Sequence, residues 1–257
     1  MLYGKSATKA RAASHVVEVN HQNYILSGYV GAAPVRGFYL EGNEVNDNGL
    51  PQGFLVQQPP GAVTNPHFHE TNQFQVIVGG DGMFGKKPIT PLSIQYSNAH
   101  TPYGPIVSGE AGVTYFTLRA SWDPGAKYMP ASRDKLVKGN QRSKLVVGLP
   151  SDPSESRAVR KAPMTDTIIA EEADRLAAWR LCMGPGQTTV APDPAGSGGQ
   201  YIIVSAGCLV HRDEDFMSLS VLFVTEDEPA LRVVAGAEGL DLLVLQFPER
   251  RPWPCTD

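Results

Sequence analysis

The residues best suited to chemistry in this chain are His67 and His69, which lie two positions apart. Alternate side chains of a β-strand point to the same face, so both imidazoles would project together, with Gln73 on the same face by parity. The apolar run at residues 76–78 and the turn-rich residues 79–82 favour a strand here. Two imidazoles and an amide oxygen can supply most of the ligands of a transition-metal ion.

The spacing around these residues resembles the first motif of the cupin superfamily. That motif runs Gly, five residues, His-x-His, three or four residues, Glu, six residues, Gly. The chain matches it with Gly61, His67, His69, Gln73 and Gly80, and departs from it only in having Gln73 where most members have Glu. A second cupin motif supplies another histidine on a later strand, and the resemblance assigns that position to His100.

The resemblance implies a metal site formed by His67, His69, Gln73 and His100. Imidazole accepts several divalent ions, so the resemblance favours iron while manganese, nickel, zinc and copper remain open. A neutral Gln73 would leave the ion a stronger Lewis acid but hold it less firmly than a carboxylate. Whether Gln73 is a direct ligand, or an amide that only supports the ligands, remains open.

Other polar residues are candidates for contacts with a substrate. Gln75 shares the parity of Gln73, so we expect it to line the same cavity. Further candidates on or near the neighbouring strands are Tyr96, Tyr103, Tyr115 and Arg119. Their facing cannot be assigned from the sequence, and each could equally be a packing residue.

The composition disfavours several classes of protein. The chain has 257 residues with 26 glycines and 21 prolines, which suits many short strands joined by turns. A net charge of −4 without a basic stripe disfavours nucleic-acid binding. Apolar runs are too short for a transmembrane helix, and no apolar segment follows the basic N-terminus to form a secretory signal. The widely spaced Cys182, Cys208 and Cys255 predict no disulfide framework and fit a cytoplasmic protein.

The second half of the chain repeats the first at an offset of 127 residues. Gly80 then falls on Gly207, and the glycines at 109 and 112 fall on those at 236 and 239. Matching glycines imply matching turns. The fold class predicted is all-β, with two tandem cupin (double-stranded β-helix, or jelly-roll) barrels and little helix. We expect an N-terminal barrel with the metal site at residues 1–130, then a linker and a C-terminal barrel at 131–257.

The same offset predicts that the C-terminal barrel has lost the metal ligands, because His67, His69 and His100 fall on Pro194, Gly196 and Asp227. Strands are expected near residues 24–26, 37–40, 53–57, 73–78, 93–96 and 114–119, and then near 180–183, 201–204, 219–224, 231–234 and 241–247. Residues 121–162 read as a linker that includes a possible short strand at 144–148. Residues 171–178 are the best candidate for a helix.

Three functions are compatible with these features. The favoured one, by resemblance to metal-bearing cupins, is a metal-dependent dioxygenase that acts on a small oxygenated or aromatic substrate. The alternatives are a lyase, isomerase or cyclase without redox chemistry, and a non-enzymatic cupin that binds a small molecule. A small-molecule partner is expected in each case, while nucleic acid and membrane are not, and a homo-oligomer is possible. Cupin barrels host many reactions, so the fold alone does not choose among these functions.

Overall fold

The computed structural model describes residues 1–41, 46–139, 141–151 and 153–250. The chain begins with strand β1, Leu2–Lys5, and helix α1, Ala7–Ala12. Contacts divide the described residues into two compact units, which we call the first barrel (residues 13–150) and the second barrel (residues 1–12 and 151–250). The sequence prediction placed residues 1–12 with the first barrel, but β1 pairs antiparallel with residues 221–224 of the second barrel.

The first barrel consists of antiparallel strands of 2 to 14 residues and one turn of 3₁₀-helix at Arg133–Lys135. The strands are β2 His15–Val19, β3 Gln22–Val30, β4 Gln52–Gln58, β5 Val63–Thr64, β6 His67–Phe68, β7 Gln73–Phe84, β8 Lys87–Ile89, β9 Ile94–Ser97, β10 Ile106–Arg119, β11 Lys127–Tyr128 and β12 Ser143–Val146. The main sheet has the order β12-β9-β7-β10-β4-β3-β2, with β5 on β10 and β8 on β7, while β6 pairs separately with β11.

The second barrel contains one short helix, α2, at Ser154–Ala158. Its strands are β13 Met164–Ile169, β14 Ala177–Met183, β15 Thr188–Val190, β16 Gln200–His211, β17 Glu214–Met217, β18 Val221–Val224 and β19 Arg232–Gln246. They form a sheet in the order β1-β18-β16-β19-β14-β13, with β15 on β19 and β17 on β16.

Each barrel buries its own apolar core. In the first barrel, Tyr24, Leu26, Phe54, Val56 and Ile77 belong to one buried cluster. Apolar residues at alternate positions, such as Phe54 and Val56 on β4, point to the same face of the sheet. The second barrel has a separate cluster formed mainly by Leu, Val and Ile side chains of β14, β16, β18 and β19. Removal of these apolar surfaces from water is the main force that holds each barrel together.

The offset of 127 residues recurs in the positions of several strands and glycines. Strand β16 begins at Gln200 and β7 at Gln73, and β18 and β9 likewise start 127 residues apart. Gly80 and Gly207 both have positive φ, 69° and 74°. A Cβ atom on Gly80 would lie 2.0 Å from the Gly112 carbonyl oxygen, and one on Gly207 would lie 2.1 Å from the Gly239 carbonyl oxygen. The same close approach of two strands therefore occurs in both barrels.

Three predicted elements need correction. Residues 171–178 do not form a helix: Arg175 has a φ of 75°, and the last two residues already belong to β14, which pairs with strands on both sides. Residues 37–40 form no strand. The segment read as a linker is largely part of the first barrel, because β11 pairs with β6 and β12 pairs with β9. The possible strand at 144–148 is present as β12.

The thiols of Cys182 and Cys208 are free and buried, whereas Cys255 lies outside the described residues. None of the helices in the described residues has the length and apolar character needed to span a bilayer.

Candidate functional site

His67 and His69 lie side by side inside the first barrel, as the alternation predicted. Their ring centroids are 5.2 Å apart and the ring planes are almost perpendicular. Both side chains are buried. The Nδ1 atom of His67 lies 2.7 Å from the Asn65 carbonyl oxygen, which can only accept, so Nδ1 carries the proton. The lone pair of His67 is therefore on Nε2.

His69 is held by a buried carboxylate that the sequence analysis did not identify. Its Nδ1–H donates to Asp123 Oδ1 at 2.6 Å. The carboxylate also accepts the backbone N–H groups of Glu70 at 2.8 Å and Gly125 at 2.9 Å. Three donors and full burial fix the carboxylate, so the imidazole is held as the tautomer with its lone pair on Nε2. The Asp-Pro-Gly sequence at 123–125 signals only a turn.

Arg119 brings a positive charge into the same site. Strand pairing places it opposite Gln73 on one side and opposite Gln52 on the other. Its Nε–H donates to Gln73 Oε1 at 3.0 Å, and its Nη1–H donates to Gln52 Oε1. Its Nη2 lies 3.0 Å from Nε2 and 3.2 Å from Nδ1 of His69. Because Nδ1 is already protonated, Nε2 is the ring nitrogen that can accept from the guanidinium.

Tyr103 occupies the third position beside the two histidines. It forms a β-bridge with His67, and the two ring centroids are 4.5 Å apart. Its hydroxyl oxygen accepts a hydrogen bond from Gln73 Nε2. The amide of Gln73 is thus engaged at both ends, by Tyr103 and by Arg119. Tyr103 was expected only as a substrate contact, and the structure places it directly against His67 and Gln73.

The prediction that His100 joins His67 and His69 is not met. His100 lies in the turn between β9 and β10 with a positive φ of 54°. Its ring packs 5.5 Å from that of Phe68, the residue between the two site histidines, and its Nδ1 accepts from the Val137 N–H at 3.3 Å. Neighbouring residues of an extended segment point to opposite faces, so Phe68 points away from the face that His67 and His69 share. The His100 ring, which packs against Phe68, therefore lies away from the site. His100 does not line the cavity described next.

A cavity of about 90 Å³ opens beside the site within the first barrel. Apolar side chains such as Leu26, Phe54 and Val56 form much of its wall. The polar part of its lining consists of Tyr24, Arg36, Thr64, His67, His69, Gln75, Tyr103, Tyr115, Thr117, Arg119 and Tyr128. Gln75, Tyr103, Tyr115 and Arg119, which were expected to contact a substrate, all line this cavity.

Tyr96, the remaining predicted substrate contact, is a packing residue. It is fully buried away from the cavity lining, with its ring 4.8 Å from that of Phe74 and its hydroxyl donating to Asn98 Oδ1 at 2.6 Å. Residues 95 and 97, its neighbours on β9, face the other side of the strand, and Gln95 lies opposite Gln75. Residues 96 and 74 are also paired, so the two aromatic rings share the face turned from the cavity.

Burial and the charge of Arg119 set the protonation of the site. Burial, with a smaller contribution from His69, lowers the pKa of His67 to about 3. Burial and then Arg119 lower the pKa of His69. Burial alone would raise the pKa of Asp123, but His69 and Arg119 outweigh it and hold that pKa below its usual value. At neutral pH the site therefore contains two neutral imidazoles, one carboxylate and one guanidinium.

At the two aligned positions that the structure describes in the second barrel, the side chains carry no charge; its buried arginines instead surround Asp241 at other positions. The repeat places Gln200 at the position of Gln73 and Gln246 at that of Arg119. Gln200 Nε2 donates to Gln246 Oε1 at 2.8 Å, and both side chains are completely buried. A neutral amide pair therefore replaces the cation in the second barrel.

No protein-family model matches the sequence, and no curated protein matches it. Solved structures with a similar fold include a proposed dioxygenase from Nostoc punctiforme, with a TM-score of 0.66 and 10% identity over 99% of this chain and 85% of that one. Another is pirin YhhW from Escherichia coli in complex with nickel(II), with a TM-score of 0.56 and 12% identity over 97% and 100% of the two chains. A variant of Bacillus subtilis oxalate decarboxylase, an enzyme with Mn(II) centres, has a TM-score of 0.52 and 12% identity over 96% and 77%. This likeness shows the cupin fold.

The residues present do not fit the divalent metal that the neighbours suggest. The described part of the chain contains no group of three His, Cys, Asp or Glu side chains placed to hold one ion. Of the four predicted ligands, His100 is directed elsewhere, and Gln73 Oε1 already accepts from Arg119. The guanidinium also lies against His69 Nε2. A cation bound at His69 Nε2 would therefore meet the positive charge of Arg119.

Proposed function

We propose that the cavity of the first barrel is the active site of an enzyme that moves a proton on a small oxygenated molecule, as in a lyase or an isomerase. The observation that carries the proposal is the contact of an Asp123–His69 pair with the Arg119 guanidinium at a partly apolar cavity. A base, the group that orients it and a fixed cation are the parts needed to take a proton from carbon next to a carbonyl group.

Each residue has a defined role in this proposal. Arg119 stabilises the negative charge that develops on a substrate oxygen, and it does so strongly because the site is shielded from water. His69 accepts the proton at Nε2 once Arg119 Nη2, which lies 3.0 Å from that nitrogen, turns to the substrate oxygen. Burial and Arg119 lower the pKa of His69, so the ring is neutral beforehand. Asp123 holds Nδ1–H and stabilises the imidazolium that forms, in the manner of the acid in a catalytic triad. Tyr103 and Gln73 keep Arg119 and His67 in position.

The dioxygenase favoured by the sequence is the second candidate. One observation favours it: both site histidines have Nδ1 hydrogen-bonded to an oxygen, the arrangement typical of histidines that bind a metal through Nε2. The solved neighbours include a proposed dioxygenase, which points the same way. This function requires Arg119 to move away from His69 and Gln73.

Solvent-proton exchange separates the two candidates. Small 2-oxo and 2-hydroxy acids in deuterium oxide, with the protein under argon and a chelator, should incorporate deuterium next to the carbonyl or carboxyl group, as read by proton NMR. Asp123→Asn and His69→Gln should lower that rate at least 100-fold, whereas His100→Ala, which changes a histidine outside the cavity, should retain it. Exchange or turnover that requires both oxygen and an added metal would instead support the dioxygenase and refute the proposal.

A further inference from the structure

The charge of the cavity lining selects against cations. Its lining, which lies entirely within the described residues, includes the guanidiniums of Arg36 and Arg119 but no Asp or Glu. Asp123 lies behind this lining, where its oxygens are committed to His69 and to the N–H groups of Glu70 and Gly125. Arginine is the side chain that best matches the planar, two-oxygen geometry of a carboxylate. The lining thus favours a small organic anion.

Gln75 adds a second constraint on the same ligand. It lines the cavity and is 3% exposed, yet its Oε1 has no hydrogen-bond partner. A buried acceptor without a partner costs free energy, and a ligand that brings a donor recovers it. Gln95 lies directly opposite Gln75, is equally buried and also has an unpartnered Oε1, but it does not line the cavity. The two glutamines therefore form a matched pair in which only one can meet a ligand.

We infer that the guanidinium of Arg119 stands in place of a metal ion, and that the cavity binds a small carboxylate carrying a hydroxyl group. The carboxylate pairs with Arg119 by taking over the Nη2 contact that His69 holds in this structure. The hydroxyl donates to Gln75 Oε1 when the amide turns this covered oxygen towards the cavity. Apolar walls formed by Leu26, Phe54 and Val56 contact the carbon skeleton. A cavity of about 90 Å³ limits that skeleton to a few carbon atoms. The inference rests on the proposed function in placing the site in this cavity, and it adds the class of substrate.

Calorimetric titration of the chelator-treated full chain tests the inference with three probes. These are lactate, propionate, which lacks the hydroxyl, and lactamide, which lacks the negative charge. We expect lactate to bind about 10-fold more tightly than propionate, because one buried acceptor regains its partner. Lactamide should bind at least 10-fold more weakly than lactate.

Variants locate each contact. Gln75→Leu should remove the preference for lactate over propionate, whereas Gln95→Leu should retain it. Arg119→Gln should abolish the preference for lactate over lactamide, and Arg119→Lys, which keeps the charge, should retain part of it. Unfolding curves for each variant establish that the first barrel is folded, and Arg119→Lys keeps the test valid if the glutamine variant does not fold.

The outcomes separate the inference from the proposed function. Equal affinity for lactamide and lactate, or lactate binding that appears only after a metal is added, would overturn the inference. An unchanged preference for lactate in Gln75→Leu would overturn the contact assigned to the hydroxyl. Deuterium exchange on a neutral ketone without any binding of carboxylates would sink the inference while leaving the proposed function standing. Tight binding of lactate without deuterium exchange on any substrate would refute the proposed function while leaving the inferred class of ligand standing.

Discussion

Replacement of Arg119 by glutamine should convert a site that repels divalent transition-metal ions into one that binds them. An ion on Nε2 of His69 would lie within about 5 Å of Arg119 Nη2, since that nitrogen is 3.0 Å from Nε2 and metal–nitrogen bonds are about 2 Å long. At an effective dielectric constant of about 20, a divalent ion and a guanidinium at that distance repel each other by about 7 kcal/mol. Movement of the arginine side chain and the negative charge of the nearby Asp123 reduce this repulsion, to about 3 kcal/mol.

That value corresponds to roughly a 100-fold gain in affinity for the variant. Titration calorimetry with Ni(II), Zn(II) and Mn(II) on the full chain, after treatment with a chelator, measures it directly. Arg119→Lys keeps the positive charge and should gain little. Arg36→Gln removes a charge from the same cavity lining and leaves the side chains against His69 unchanged, so it serves as the matched control.

The glutamine variant also has a cost in stability. Asp123 loses a cation 4.0 Å from Oδ1 but keeps its bonds to His69 and to two backbone N–H groups. We expect the free energy of unfolding to fall by about 2 kcal/mol, and urea unfolding would establish that the variant is still folded at 25 °C. Two results would refute the reasoning: wild-type protein that holds one transition-metal ion per chain at submicromolar Kd, or an Arg119→Gln variant that binds metal no better than Arg119→Lys.

Three further predictions concern neighbouring groups. His69→Ala should weaken binding of lactate while His100→Ala leaves it unchanged in the same titration, because His69 lines the cavity and contacts Arg119 whereas His100 does not line it. Equal losses in the two variants would show that His100 belongs to the site. Burial lowers the pKa of His67 to about 3 in the folded chain. In the unfolded chain this histidine takes up a proton below about pH 6.5, so acid favours the unfolded state. Stability should therefore fall with decreasing pH from 6.5 towards 3, by at most about 1.4 kcal/mol per pH unit for this residue, and urea midpoints at pH 7 and pH 5 should differ less in His67→Phe. Gly80→Ala and Gly207→Ala should each lower the free energy of unfolding in urea by at least about 2 kcal/mol, because a Cβ atom would clash with the neighbouring strand. Gly61→Ala is the control: its φ is positive but the space around it is open, so the cost should be about 1 kcal/mol. Similar costs for all three variants would contradict the close approach of the strands.

The fold and half of the site follow from local patterns in the sequence. Strands β7, β9 and β10 were predicted near their observed positions because apolar runs and glycine turns are encoded over a few residues. The fixed offset between the two halves depends on glycines that cannot be replaced without a clash, so the repeat survives where side chains differ. His67 and His69 face together because alternation along an extended chain is a local property.

The spacing of the motif could not predict that Tyr103, and not His100, lies against His67. Both residues lie in one turn-rich segment, and the conformation of that segment is set by contacts far along the chain. The His100 N–H donates to the His69 carbonyl oxygen at 2.7 Å, and Gln141 Nε2 donates to the His100 carbonyl oxygen at 2.9 Å. These bonds place the positive φ at His100 and bring Tyr103 three residues later into the bridge with His67. His100 and Tyr103 are only three residues apart, and a loosely matching motif does not indicate which residue of a turn faces the site.

Asp123 was missed for a different reason. It lies in a polar stretch rich in turn-forming residues, which predicts an exposed linker. Its burial depends on β11 pairing with β6, so that residues 120–126 close over the barrel beside His69. The only sequence signal was its position four residues after Arg119, at the end of a strand, where carboxylates and arginines can pair.

The comparison of the two barrels indicates which residues make a site out of this scaffold. Both barrels have the same long strands, the same close contacts at glycine and a glutamine at the start of the first long strand. In the second barrel that glutamine is Gln200, which donates to Gln246 Oε1, and the buried pair carries no charge. In the first barrel the equivalent glutamine bonds to Arg119, and the charge has to be matched by Asp123 through His69. The cation, the histidine and the carboxylate therefore depend on one another, and the loss of any one should weaken the binding of a small anion in the first barrel.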